Sequence, residues 1–326
     1  MSNNTYIIAE IGINHEGNVE QCANMINAAA DIDVNAVKLQ TINADSNYVV
    51  GTESYNIFKG SELTREETAS MFELARKRGI DIFTTAGDIE TIEWVKKLNP
   101  SAWKISSGLL THIPLIKHLA SLGKPLLIST GMGNVDEIDL AVKETRKTGN
   151  NNFSLFQCTS LYPAPKDALN LNAIRWLNNR YDCNVGFSDH SIGTDAAFLA
   201  IGAGATSIEK HFSFDTSRSG FDHKISLDAD GFKKMIERIR LAEEMLGSNK
   251  KIIPDSILSN REIFLRSIVS ISPINKGDIF TKENTGIKRT LANKRGAEPK
   301  HLKNILGQMA CRDIELNEPI KIEDIT

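Results

Sequence analysis

From Thr5 to about residue 248 the apolar positions follow two alternating rhythms. The short runs TYIIAEIGI, AVKLQT, DIFTTA, AWKISSG, LLIST, FSLFQCT, NVGFSDH and SIEKHF read as strands. Between them, NVEQCANMINAAADI, REETASMFELARKRG and VDEIDLAVKETRKTG carry apolar residues at helical spacing. Strands alternating with helices predict βα units around a parallel sheet. Eight units in about 245 residues predict a closed (β/α)8 TIM barrel over residues 1–248, with ADGFKKMIERIRLAEEMLG as its last helix. An open dinucleotide-binding sheet would carry G-x-G-x-x-G after its first strand; GINHEG follows instead, and GAGATS lacks the third glycine. Beyond the barrel, GSNKKIIPDSILSN is polar and contains a proline, which predicts a linker over 249–261. The segments RSIVSISPINKGDIFTKENTGIKR and NILGQMACRDIELNEPIKIEDI predict a small, mainly β domain over 262–326. A unit of that size is marginal by itself and is expected to pack on a neighbour.

Composition narrows the function classes. The chain has 326 residues, 41% of them hydrophobic, enough for a sizeable core. A formal net charge of −3 with no basic tail argues against a nucleic-acid partner. The longest uncharged apolar run, around Ala196 to Ala205, is far short of the roughly 20 residues that span a bilayer. The opening MSNNTYIIAEIG has no cationic segment and is interrupted by Glu10, so no secretory signal is expected. Cys22, Cys158, Cys183 and Cys311 lack CxxC spacing and read as reduced thiols of a cytoplasmic protein.

A barrel of this kind builds its site at the C-terminal ends of its strands. Reactive residues gather there: Glu10 on the first run, Lys38 and Gln40 on the second, Thr84 and Thr85 on the third. Lys104, Ser106 and Ser107 follow on the fourth, Ser129 and Thr130 on the fifth, Thr159, Ser160 and Tyr162 at the sixth. Ser188, Asp189 and His190 end the seventh run, and Glu209, Lys210 and His211 the eighth. A single strand-end serine is usually a turn former, but polar groups at all eight ends are hard to explain as packing. Lys38 and Lys104, with several hydroxyls and with Gly108 and Gly131, predict a site for a small, multiply charged anion such as a sugar phosphate or phosphoenolpyruvate. The bland alternative is an internal ion pair with Glu10 or Glu209. His190 and His211 end neighbouring strands and are placed to converge. Two imidazoles with open positions suit Mn²⁺, Zn²⁺ or Co²⁺, weakly held and completed by substrate, with Asp189 and Glu209 as supporting partners. The alternative is one basic histidine and one hydrogen-bonded core histidine.

IIAEIGINHEG, AVKLQT, KISSG, PLIKHLASLGKPLLISTGM, CTSLYPAP, GFSDHSIG and IEKHF…GFDHKISLD together resemble the sialic acid synthase family. That family includes N-acetylneuraminate synthase and the legionaminic and pseudaminic acid synthases. SIVSISPINKGDIFTKENTGIKR resembles the antifreeze-like (SAF) domain that follows their barrel. The resemblance covers nearly the whole chain. It implies condensation of phosphoenolpyruvate with the open-chain aldehyde of an N-acylated mannosamine-type sugar, giving a nine-carbon 2-keto acid and phosphate with C–O cleavage. It places Mn²⁺, with Co²⁺ or Mg²⁺ as alternatives, on His190 and His211. It puts phosphoenolpyruvate against Lys38, Thr85, Lys104, Ser107, Ser129, Ser160 and Ser188. Gln40, Tyr162, Asp222 and Arg289 would hold the sugar, with Glu10 or Glu209 as acid or base. Arg289 would come from the other subunit of a domain-swapped homodimer.

The chain departs from the family pattern at Ala86 and Gly87, in TTAGD; at Ser160, where some members have asparagine; and after KR, where the usual proline is missing. It also departs in the stretch TINADSNYVVGTESYNIFKGSEL, shorter than in many relatives. The alternatives are the same chemistry on a diacetamido-trideoxyhexose and, more remotely, a non-catalytic barrel with an interaction module.

Overall fold

The computed structural model describes residues 4–326. The chain divides into two compact units, one ending at Gly247 and the other running from Ser248 to Thr326. In the first, eight strands pair in parallel, in sequence order, and close into a barrel: β1 (Tyr6–Gly12), β2 (Ala36–Gln40), β3 (Asp81–Thr85), β4 (Trp103–Ile105), β5 (Leu126–Ser129), β6 (Phe153–Cys158), β7 (Asn184–Asp189) and β8 (Ser207–His211). The last strand returns to the first, with Glu10 opposite His211.

Helices form where the periodic segments predict them, at Val19–Asp31, Arg65–Lys77, Val135–Lys147 and Ala229–Leu246. Their starts are chemically marked. Thr64 with Glu67, and Asn134 with Glu137, form reciprocal capping boxes that satisfy backbone donors otherwise left unpaired in the first turn.

The period of two along each strand separates two apolar layers. Ile7, Ala9, Ile11, Val37, Leu39, Ile82, Trp103, Ile105, Ile128, Leu155, Val185, Phe187 and Ile208 point outward and pack under the helices. The alternate positions Ile8, Ala36, Phe83, Ala102 and Phe156 fill the lower interior. Gly186 makes room there: a Cβ on it would stand 2.5 Å from the Phe156 ring. Two residues further along each strand, the same inward register carries Glu10, Lys38, Thr85, Lys104, Ser129, Ser188 and Glu209. The barrel is therefore plugged with hydrocarbon below and lined with charge above.

In the second unit, β9 (Arg266–Ser270) pairs antiparallel with β10 (Thr285–Arg289). Single bridges such as Ile274 to Ile314 extend the fold around Ile268, Phe280, Ile305 and Ile320. A helix, Leu258–Phe264, begins inside the stretch expected as a linker and runs past its end at residue 261; the polar residues and the proline before it obscure its apolar positions. Among the described residues no helix is long and apolar enough to cross a membrane.

Candidate active site

The inward-facing charges form one connected network. Lys104 Nζ lies 2.8 Å from Glu209 Oε2, and Lys38 Nζ lies 3.5 Å from Glu209 Oε1 and 3.0 Å from Glu10 Oε2. The Ser188 hydroxyl donates to Glu209 Oε1 at 2.9 Å, and the Gln40 amide donates to Glu10 Oε1 at 3.0 Å. Lys104 also sits over the Phe156 ring, 4.1 Å from its centroid, a cation–π contact in a desolvated setting. Glu10, Lys38, Lys104 and Glu209 are all buried. Two lysines and two glutamates thus satisfy one another, as the bland alternative expected. Burying such a set costs several kcal/mol per ion before pairing repays it, so it is weak as a device for stability.

The environment separates the two carboxylates. Burial pushes Glu10 up to about 7, and Lys38 only partly opposes it. Burial acts on Glu209 in the same sense, but the Lys104 and Lys38 ammonium groups overcome it and hold that carboxyl far below the usual range. Burial likewise lowers Lys104, while for Lys38 the two glutamates outweigh burial and raise it. A site with one proton-holding and one ionised carboxyl is a common basis for acid–base chemistry near neutral pH.

Beside the lysines is a cradle of small donors. Gly131 N–H donates to Ser107 Oγ at 3.0 Å. A Cβ on Gly131 would lie 2.8 Å from Ser160 Oγ and 2.9 Å from Ser107 Oγ. The buried hydroxyl of Thr85 has no hydrogen-bond partner within the protein, and Ser129 is buried nearby on β5. Hydroxyls gathered in the same barrel mouth as two ammonium groups match the oxygens of a phosphate or carboxylate.

The two histidines converge, with ring centroids 5.6 Å apart, and Tyr162 stacks on His190 at 4.2 Å. His190 Nδ1 faces the Thr159 carbonyl at 2.9 Å. A carbonyl only accepts, so Nδ1 carries the hydrogen and Nε2 keeps its lone pair. His211 Nδ1 is buried without a hydrogen bond, 3.6 Å from Asp222 Oδ2. Burial lowers His190 to about 4 and His211 to about 3, so both rings are neutral, the state a metal ligand requires. Among the described residues no group of three or more histidine, cysteine, aspartate or glutamate side chains is arranged as a metal site, so a metal here would have only the two imidazoles, one with an unpartnered buried Nδ1, as protein donors.

Two expectations shift. Asp189 does not support either imidazole: it points out of the barrel and pairs with the buried Lys210 at 3.1 Å. Glu209 bonds to Lys104 and Ser188. Arg289 belongs to the second unit, its guanidinium 4.7 Å from the Phe264 ring centroid. Asn14, fully buried, was overlooked. Its amide donates to Phe212 O and Ser226 Oγ at 2.9 and 3.0 Å, and its Oδ1 accepts from Asp222 N at 3.0 Å. It ties the turn after β1 to the loop that brings Asp222 to His211. An asparagine beside a histidine in GINHEG was its only signal.

Residues 25–251 match the NeuB family and residues 266–326 the SAF domain. The N,N'-diacetyllegionaminic acid synthase of Legionella pneumophila is 33% identical over 98% of this chain and 94% of its own length. A pseudaminic acid synthase of Campylobacter jejuni is 32% identical over 98% of this chain and 96% of its own. The crystal structure of a sialic acid synthetase from Leptospira borgpetersenii, in complex with citrate, superposes with a TM-score of 0.77 at 32% identity. It covers 80% of this chain and 91% of that one. The family match over the barrel, the SAF match after it and the likeness to these relatives along nearly the whole chain agree, and the chain belongs to the NeuB family of sialic-acid-type synthases, with a SAF domain after its barrel.

Proposed function

We propose that the protein condenses phosphoenolpyruvate with the open-chain aldehyde of an N-acylated mannosamine-type sugar, releasing phosphate and a nine-carbon 2-keto acid. The observation that carries this reading is the Lys38–Glu10–Lys104–Glu209 network beside the Ser107–Gly131–Ser160 cradle and below two neutral imidazoles. On binding, the trianion takes over Lys38 and Lys104 from the glutamates, while Thr85, Ser107, Ser129, Ser160 and Ser188 supply hydrogen bonds. Gln40, Tyr162 and Asp222 orient the aldehyde so that C3 of phosphoenolpyruvate reaches it. The new bond forms at C3, and the aldehyde oxygen takes the proton that Glu10 holds near neutrality. Positive charge develops at C2 beside the Glu209 carboxylate, which stabilises it electrostatically and accepts a proton as water adds there. Breakdown of the adduct cleaves the C2–O bond and frees phosphate. His190 and His211 would hold Mn²⁺, or Co²⁺ or Mg²⁺ in its place, and a bound ion of that kind polarises a carbonyl as a Lewis acid.

A second reading, the same chemistry on a diacetamido-trideoxyhexose, is favoured by the likeness to pseudaminic and diacetyllegionaminic acid synthases. Arg289 reaches the sugar's N-acyl group from a second subunit of a domain-swapped homodimer, in the cytoplasm. Incubation with phosphoenolpyruvate, Mn²⁺ and a panel of N-acylated aldoses, read by mass spectrometry, is expected to show one sugar extended by a pyruvyl unit. No product from any six-carbon sugar would overturn both readings.

A further inference from the structure

Three lysines of the described chain are buried, and the proposed reaction uses only two of them. Lys210, with no exposed surface, lies on β8 between Glu209 and His211. Its neighbours face into the barrel, so Lys210 faces out, beneath the helices, where an ammonium group is most costly. Opposite it in the β7–β8 register stands Asp189, equally buried.

The ammonium group binds Asp189 Oδ2 at 3.1 Å and the carbonyl oxygen of Ser191. Asp189 Oδ1 accepts from the Ser191 N–H at 2.8 Å and from the Ser191 hydroxyl at 2.6 Å. These four contacts hold the residues on both sides of His190, while the His190 ring is held by the Thr159 carbonyl. On the other strand, the residue after Lys210 is His211. A buried ion pair of this type is often neutral or worse for stability than apolar residues of the same shape. What it supplies is a fixed register between two strand ends.

We propose that Lys210, Asp189 and Ser191 form a positioning unit outside the barrel wall that sets the spacing of His190 and His211, and so the affinity of that imidazole pair for a divalent transition metal. The unit touches no substrate. It makes no bond to either imidazole and acts only through the backbone on which His190 and His211 stand. The inference rests on the proposed metal role of the two histidines.

The test is titration of the full chain with Mn²⁺ alone, followed by calorimetry or by the paramagnetic resonance of free Mn²⁺. The double variant D189N/K210M removes both charges, so that no uncompensated ion is left. Its Mn²⁺ dissociation constant is expected to rise about tenfold, the low end of the effect of removing a group bonded directly to a ligand, because the unit acts on the rings only through the backbone. Activity at limiting Mn²⁺ should fall and recover at saturating Mn²⁺, with the KM for phosphoenolpyruvate little changed. A purely structural role would not give that metal-dependent recovery. S191A removes a single hydroxyl and keeps the ion pair; it is expected to weaken Mn²⁺ in the same direction by a smaller, measurable factor, and it tests the claim should the double variant not fold. If wild type binds Mn²⁺ and both variants bind it equally well, the positioning role is overturned and the metal site stands. If wild type binds Mn²⁺ no better than H190A/H211A, the metal reading falls and the positioning role with it.

Discussion

Glu10 and Glu209 share the Lys38 ammonium group, and Glu209 alone also has Lys104. Glu209 has Lys104 at 2.8 Å, Lys38 at 3.5 Å and a hydrogen bond from Ser188. Glu10 has Lys38 at 3.0 Å and the neutral Gln40 amide. Desolvation weighs on both, so the proton settles on the carboxyl with less positive charge around it. The consequence for stability has a definite sign. Glu10 rises from an ordinary 4.5 to about 7 on folding. Its favourable contribution is therefore complete below about 4.5 and is lost as pH rises through about 7. The two histidines act in the opposite sense. Lowered from 6.5 to about 4 and about 3, they add stability above 6.5 that is lost as pH falls through those values. The difference between wild type and E10Q isolates the carboxyl. Denaturant unfolding at a series of pH values should show wild type losing stability relative to E10Q between about 4.5 and 7, with a slope of at most about 1.4 kcal/mol per pH unit for one proton. Parallel curves would mean that folding does not raise the Glu10 carboxyl above its ordinary value.

At the level of strands and turns, the alternation of inward and outward positions decides what each residue can do. The eight strands were legible because each is a short apolar run bounded by turn residues, and Glu10, Lys38 and Lys104 stood out as charges inside such runs. Asp189 was harder to place. Its neighbours Ser188 and His190 face the site, and only the pleat shows that the residue between them points to Lys210. Asn14 was hidden for a different reason: its three hydrogen bonds join segments some 200 residues apart, a relation that no local pattern carries. The helix Leu258–Phe264 was masked by the polar stretch before it. Gly131 gives the sharpest test at this scale. Its backbone is not in the left-handed region, so alanine strains little, yet the new methyl would stand within 3 Å of the Ser107 and Ser160 hydroxyls. G131A is expected to raise the KM for phosphoenolpyruvate tenfold or more, about 1.4 kcal/mol or above, while the sugar KM changes little. An unchanged phosphoenolpyruvate KM would remove this turn from the anion site.

On the scale of the whole molecule, the barrel and the SAF domain are separate compact units with separate cores. The proposed domain-swapped dimer can be tested by complementation. K104M disables a barrel and leaves its Arg289 intact; R289A does the reverse. Each homodimer then lacks one essential group at both sites. If Arg289 completes the partner's barrel, a mixed dimer contains one site in which Lys104 and Arg289 are both present and one in which both are missing. Random exchange of equal amounts makes half of the dimers mixed, and half of their sites whole, so about a quarter of wild-type activity should return. A mixture of K38M and K104M is the control. Both defects lie in the barrel, every site keeps one of them, and nothing should return on exchange. Recovery in the first mixture but not in the second would assign Arg289 to the neighbouring subunit. If exchange is demonstrated by mass and the first mixture still shows only the sum of its residual activities, Arg289 acts within its own chain or not at all, and the swapped arrangement is wrong.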